Sequence, residues 1–262
     1  MSKKILLCAD DFGLSPAVCS GIIELAQKKR LSAVSCLVNM PSFQAYADQL
    51  LVAADKVQLG LHLNLTEGFL LSEQRPCFRF AALALKAHAR LLPVTLIKQE
   101  LEAQLERFVN ITGRWPDFID GHQHIHQFPV LRSLLIALYN ECLRAHQVSI
   151  RSTWPLIQAH HYDIKAFLLA RSGAKALQRL LIRHAIPHNH SFSGMYTFSS
   201  ASDYRTLFVQ WLKKASSNTL IMCHPGGDPK DDCAHAALRF KEFSYLSSDA
   251  LLQDCAKYHV IL

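Results

Sequence analysis

Four short stretches of this sequence bring together side chains able to do acid–base or metal chemistry. The first is Ala9-Asp10-Asp11-Phe12-Gly13. Adjacent carboxylates at the end of an apolar run repel each other unless a cation or hydrogen-bond donors neutralise them. A helix opening at Ser15 offers some relief through its free N–H groups, and Asp also serves in turns and caps. The second stretch runs from Gln58 to Gly68, where strand alternation puts Gly60, His62, Asn64 and Thr66 on one face and four leucines on the other. His62 and Asn64 then project together, with little bulk beside them at Gly60.

The third stretch, Asp120-Gly121-His122-Gln123-His124-Ile125-His126, sets three imidazoles at alternate positions after a carboxylate. Imidazole suits zinc and other divalent transition metals, and carboxylates also suit magnesium and manganese. A solvated histidine-rich loop is the plain alternative. Asp120 is placed to hold the second nitrogen of a ligating histidine. In the fourth, Met222-Cys223-His224-Pro225-Gly226-Gly227-Asp228, His224 leaves an apolar strand where Pro and two glycines force a turn. That turn would open the imidazole to a cleft, which makes His224 the candidate general acid.

These stretches need a scaffold, and the chain repeats one pattern: a short apolar run stops at a polar cluster and a helical stretch follows. The runs are Ile5 to Ala9, Ala33 to Val38, Val57 to Leu61, Phe118-Ile119, Val148 to Ile150 and Thr219 to Cys223, with His259 to Leu262 as a last strand. Pro16 to Gln27 reads as a helix with Ser15 as N-cap and Pro16 at its first position. Glu100 to Val109, Leu131 to Arg144 and Tyr204 to Lys214 show apolar residues at helical spacing. Strands alternating with helices imply a mainly parallel sheet. The fold class is therefore α/β, a distorted and incomplete (βα) barrel formed by residues 1–262 as one domain. The polar clusters fall at the C-terminal ends of the strands, where barrels carry their sites. Phe69 to Pro93 shows no clean strand. Lys165 to His190 is a basic stretch, with Arg171, Lys175, Arg179 and Arg183 spaced by four, read as a solvated helix face.

Composition narrows the classes further. Half of the 262 residues are hydrophobic and 19% are charged, a balance that supports a buried core. The net charge of +7 reads as general surface basicity, because no basic stretch is interleaved with aromatics as a base-stacking surface requires. The eight cysteines form no CxxC pair, and several lie within apolar runs, which points to a reducing compartment. The apolar run after Lys3-Lys4 is too short for a signal peptide, and no stretch reaches membrane-spanning length. The cytoplasm is the expected location, with no nucleic-acid partner and no membrane span.

ADDFGLS, GLHLNLTEG, DGHQHIHQFP and CHPGGD together resemble the YdjC family of carbohydrate deacetylases, which includes the ChbG-type chitooligosaccharide deacetylases and the hopanoid-associated HpnK group. The motifs stand in the family's order from residue 9 to residue 228, and Arg239 with Glu242 resembles its later R-x-x-E stretch. The resemblance implies a distorted barrel and removal of acetyl groups from N-acetylated amino sugars. It implies one divalent ion, Mg²⁺ or Zn²⁺, held by Asp11, His62 and His122. By it, Asp10 matches the general base, His224 the acid or oxyanion stabiliser, and Arg151 the group orienting the base. Asn64, Asp120 and His124 are candidates for substrate contact or support of the ligands. An imidazole titrating near neutral pH would suit the acid's task. Relatives typically read Asn-Ala-Asp-Asp where this chain has Cys8-Ala9-Asp10-Asp11. Similar proteins are often dimers, so a homodimer is the implied assembly, with no interface legible in the sequence.

Two other readings fit the same residues. A metal phosphoesterase or sugar-phosphate isomerase would normally show a glycine-rich phosphate cradle at a helix N-terminus, for which Gly226-Gly227 is the nearest candidate. A sugar-binding protein without activity would not need the full set Asp10, Asp11, His62, His122 and His224.

Overall fold

The computed structural model describes residues 2–53, 55, 57–157, 170–198 and 203–262. Its centre is a parallel seven-stranded sheet in the order β6-β5-β4-β3-β2-β8-β7. The strands are β2 (Leu6–Phe12), β3 (Ala33–Cys36), β4 (Gln58–Leu63), β5 (Phe118–Gly121), β6 (Ser149–Ile150), β7 (Ser191–Ser193) and β8 (Thr219–Cys223). A small parallel pair joins β1 (Lys3–Lys4) to β9 (Val260–Ile261). The sheet curls into an incomplete barrel. Its two edges approach where Leu156, after β6, forms an isolated bridge with Phe192 of β7.

The helices among the described residues are α1 (Pro16–Gln27), α2 (Pro41–Ala53), α3 (Phe80–His88), α4 (Val94–Thr112), α5 (Leu131–Leu138), α6 (Lys175–Arg183), α7 (Tyr204–Lys214), α8 (Ala236–Ser247) and α9 (Asp249–Lys257). Helix α1 matches its expected bounds, with the Ser15 hydroxyl accepting the Val18 N–H at 3.2 Å. Three expectations needed adjustment. The helix expected from Glu100 begins at Val94, after Pro93, and ends at Gly113 in the left-handed conformation that closes helices. The helix expected to run to Arg144 leaves α geometry after Leu138, continuing as a π turn and a 3-10 turn. The irregular stretch from Phe69 contains α3. In the basic stretch, Lys175, Arg179 and Arg183 are exposed on α6 while Leu177 and Leu181 are buried, as a solvated face requires; residues 165–169 lie outside the described residues.

Alternation along the strands divides the core in two. Leu7 and Ala9 of β2 face the helices, whereas Cys8 joins Ala33, Phe118, Phe192, Leu220 and Met222 inside the curl. Gly60 on β4 pairs with Phe118 on β5, and a Cβ at Gly60 would lie 2.3 Å from the Phe118 ring. The glycine lets that ring fill the interior as an apolar floor, one layer below His62 and Asp120, which pair next along the same strands. Gly60→Ala is expected to cost about 1–3 kcal/mol of stability through overpacking. An unchanged urea midpoint would show that Phe118 has somewhere else to go.

Candidate active site

The strands end together and deliver the polar clusters to one cavity of about 270 Å³. Asp10 and Asp11 arrive from β2, His62 from β4, His122 and His124 from the turn after β5, and His224 from the turn after β8. Regular alternation would send Asp10 and Asp11 to opposite faces. It fails here because Asp11 adopts φ 70°, and the β2–β3 register shifts between Ala9 and Phe12. The irregularity turns the second carboxylate to the same side as the first.

Asp11 Oδ1 lies 2.8 Å from His122 Nδ1 and 3.4 Å from His62 Nε2. One donor atom from each of these three residues lies within 4.8 Å of the other two, enough to surround a small cation. The other nitrogen of His62, Nδ1, donates to Asp120 Oδ1 at 2.6 Å, and Ser35 Oγ donates to the same oxygen at 2.6 Å. Asp120 thereby fixes the ring so that Nε2 faces Asp11, the outer support expected of a metal-ligating histidine. Burial by itself would lower the His62 pKa, but Asp120 and Asp11 overcome it and raise the imidazole to about 10. Burial likewise opposes ionisation of Asp11, yet His122 and Arg239 hold its carboxyl well below the usual range. The buried Asp11 carboxylate is thus balanced by Arg239 on one oxygen and faced by the two imidazoles on the other, where a divalent ion would displace the ring hydrogens. A carboxylate and two imidazoles fit such an ion by donor chemistry and by approach.

Asp10, His62 and Asp120 form a second group of closely spaced donors. There the cation is already in place. Arg151, fully buried, donates through Nη1 to Asp10 Oδ2 at 2.6 Å and through Nη2 to Asp10 Oδ1 at 2.7 Å, and Nη2 also lies 2.5 Å from Asp120 Oδ2. The guanidinium meets both carboxylates and overcomes the burial that would raise the Asp10 pKa, so Asp10 stays ionised. Cys8 joins this network, with Sγ 3.1 Å from Arg151 Nη2 and 3.5 Å from Asp10 Oδ1. Of the two groups, only the first leaves its carboxylate facing imidazoles with no guanidinium between them, so it is the candidate for a cation.

The three histidines of DGHQHIH part company. Gln123 and His124 are both left-handed, at φ 54° and 59°, which breaks any alternation. His122 reaches Asp11, and His124 lines the cavity with Nδ1 buried and without a hydrogen-bond partner among the described residues. His126 is buried beside the Arg151 carbonyl, 3.2 Å from its Nε2, and burial lowers its pKa to about 4. Asn64 is spent on a turn beyond the end of β4. Its Oδ1 accepts the Thr66 and Glu67 N–H groups at 2.9 and 3.0 Å, and its Nδ2 donates to Asn39. His224 lines the same cavity, following Cys223 on the strand next to that of Asp10, and burial pushes its pKa to about 4, away from the near-neutral value expected. It is neutral at rest.

Sequence reasoning missed the rest of the wall. Met195, Tyr196, Phe198, Met222 and His235 complete the cavity. Arg239, noted only for its place in R-x-x-E, donates from Nη2 to Asp11 Oδ2 at 2.6 Å. The aromatic signal of Tyr196 and Phe198 was present in Met195-Tyr196-Thr197-Phe198, but nothing local ties it to residues thirty positions away. Gly226 and Gly227 do not cradle an anion: their N–H groups donate to the carbonyls of Arg239 and Ala17.

The family model described as YdjC-like protein matches residues 4–257. A chitooligosaccharide deacetylase of Klebsiella pneumoniae subsp. pneumoniae is 32% identical over 233 residues, 86% of this chain and 82% of that protein. One from Citrobacter koseri is 34% identical over 133 residues, 49% of this chain and 52% of its own length. A carbohydrate deacetylase of Mus musculus is 34% identical over 161 residues, 55% and 48% of the two chains. The matched stretch thus spans about half the length of these last two relatives. A crystal structure from Enterococcus faecalis V583, of a protein named for cellobiose-phosphate cleavage, superposes with TM-score 0.75 at 21% identity, covering 100% of this chain and 97% of that one. That likeness concerns the fold. No helix among the described residues is long and apolar enough to cross a membrane.

Proposed function

The chain belongs to the YdjC-like protein family, and on that footing we propose that it is a metal-dependent hydrolase that removes acetyl groups from N-acetylated amino sugars. The observation that supports this most is the pairing of two buried centres on one strand end. Asp11 faces two imidazoles, while its neighbour Asp10 is kept ionised by Arg151. Asp11, His62 and His122 would hold the ion, Mg²⁺ or Zn²⁺. Bound there, a divalent ion supplies Lewis acidity, polarising the acetyl carbonyl and acidifying water.

The chain's own residues do the rest. Asp10 accepts the water's proton, and Arg151 fixes both of its oxygens so that the base is presented in one orientation. His224 starts as a neutral imidazole able to donate one hydrogen bond to the acetyl oxygen. Its proton affinity rises as negative charge builds beside it, so the proton that Asp10 took from the water can pass to it and from it to the leaving amine nitrogen, which returns both groups to their starting states. Met195, Phe198 and Met222 give the cavity an apolar wall, which lowers the local dielectric and strengthens the charged interactions made beside it. The phosphoesterase reading loses its anchor, since both Gly226 and Gly227 N–H groups are already bonded to backbone carbonyls.

The test is acetate release from a panel of N-acetylated sugars by chelator-stripped protein, with single divalent ions added back and a phosphatase assay run alongside. Stripped protein should be inactive and an added ion should restore release. Full activity without any ion would end the metal-dependent reading, and release of phosphate but not acetate would replace it.

A further inference from the structure

A histidine that donates protons is usually oriented by a hydrogen bond to its other ring nitrogen. His224 lacks one: its Nδ1 is buried and has no hydrogen-bond partner among the described residues. Something else must aim the ring. Beneath it, the His224 backbone N–H donates to Glu242 Oε2 at 2.6 Å. Beside it, the ring meets Phe198 edge-on, with centroids 5.5 Å apart. Phe198 stacks on Tyr196 at 4.7 Å, and the Tyr196 hydroxyl donates to Glu242 Oε1 at 2.6 Å. The four residues close a circuit that starts and ends on one carboxylate.

Glu242 is fully buried on α8, one turn after the Arg239 that grips Asp11. A buried carboxylate is costly unless its oxygens are hydrogen-bonded, and here each oxygen takes one of the two donors that frame His224. Burial pushes its pKa to about 7, against the Tyr196 hydroxyl, the His224 N–H and the nearby Arg239, which favour the ionised form.

Resting on the function proposed above, we propose that Glu242 is a positioning residue. Its two oxygens set the direction of the His224 imidazole by holding the backbone beneath the ring and the aromatic wall beside it. Glu242 touches no substrate in this scheme; it acts through His224, Tyr196 and Phe198.

The test compares Glu242→Ala, Glu242→Gln and Tyr196→Phe in the full-length, metal-loaded protein. Misaiming a reacting group by about 1 Å can cost on the order of a hundredfold, so Glu242→Ala should lose about 10- to 100-fold in kcat with KM changed less than about threefold. Glu242→Gln keeps a carbonyl oxygen for the His224 N–H and an amide to pair with the Tyr196 hydroxyl, and should recover most of that loss. Tyr196→Phe cuts one arm of the circuit and should fall between. A readout independent of turnover is the spectrum of ¹³C-histidine-labelled protein, with the His224 ring signal assigned by its absence in His224→Gln. That signal should move in Glu242→Ala and Tyr196→Phe and stay near its wild-type position in Glu242→Gln. A folded Glu242→Ala with wild-type kcat, or a Glu242→Gln as impaired as Glu242→Ala, overturns the proposal. Should Glu242→Ala fail to fold, an unmoved His224 signal in Tyr196→Phe overturns it by itself. If the wild-type protein releases no acetate, the functional reading fails, and the histidine spectra still decide what Glu242 does.

Discussion

Asp10→Asn should leave the ion in place and reduce turnover by roughly a thousandfold, within the 10²–10⁴ range associated with a positioned general base. The ion's donors come from Asp11, His62 and His122, so none is removed. What is lost is the acceptor for the water's proton. The carboxylate is well suited to that task because Arg151 keeps it ionised far below neutral pH, so protonation does not remove the base over the working range. Asparagine fits the same space, but its amide N–H group would face an Arg151 N–H, and it cannot take up a proton. The check is metal content by elemental analysis together with acetate release. Metal lost in proportion to activity would make Asp10 a ligand, and the division of labour between the two neighbouring carboxylates would be wrong.

Arg151→Met should be the most damaging single change to the fold. The guanidinium is wholly buried between Asp10 and Asp120, and removing one partner of a buried ion pair costs about 3–5 kcal/mol because the other charge is left uncompensated. The pH dependence carries a distinct sign. In the wild type the Asp10 pKa is depressed on folding, so its contribution to stability is present above the unfolded value and lost as pH falls through the folded one. Without the guanidinium, burial raises the carboxyl pKa instead. The variant then has its stability at low pH and loses it as pH rises. Urea denaturation at pH 7 and near pH 4 should show a gap that narrows on acidification. A gap of equal size at both values would mean that Arg151 contributes by packing and not by charge.

How much of this was legible beforehand depended on whether the signal was local. The strands β2, β3, β4, β5 and β8 were readable because each is an apolar run that stops at polar residues. The same rule placed His62, His122 and His224 at one end of the sheet. Strand β7 was missed, because Ser191-Phe192-Ser193 is short and polar, and its pairing comes from β8 and not from its own residues. The π turn after Leu138 was missed because the apolar spacing through Leu143 still suits a helix, and Tyr139 and Leu143 are indeed buried. Nor could the sequence give the conformation of Asp11. Aspartate tolerates the left-handed region, but nothing in Ala-Asp-Asp-Phe says which of the two carboxylates adopts it. The titration of His224 was expected near neutrality from its residue type, and burial overruled it. Tyr196 lies far from the four motifs in the chain, and only the closing of the sheet brings it near; His235 and Arg239 follow the fourth motif closely, but no local pattern says that the chain turns back there to the cavity.

The break in alternation at Asp11 also governs which changes of chain length this protein can accept. A substitution there alters one side chain. A single-residue insertion or deletion between Leu6 and Asp11 would advance the strand by one step, exchanging the groups that face the cavity for those that pack under the helices. Cys8 and Asp10 would point outward together, and Leu7 and Ala9 would take their places. The helix end at Gly113 offers the contrast: a Cβ there would meet nothing within 4 Å. Length variation should therefore collect at such open corners, and the seven residues of β2 should keep their count even where their identities change.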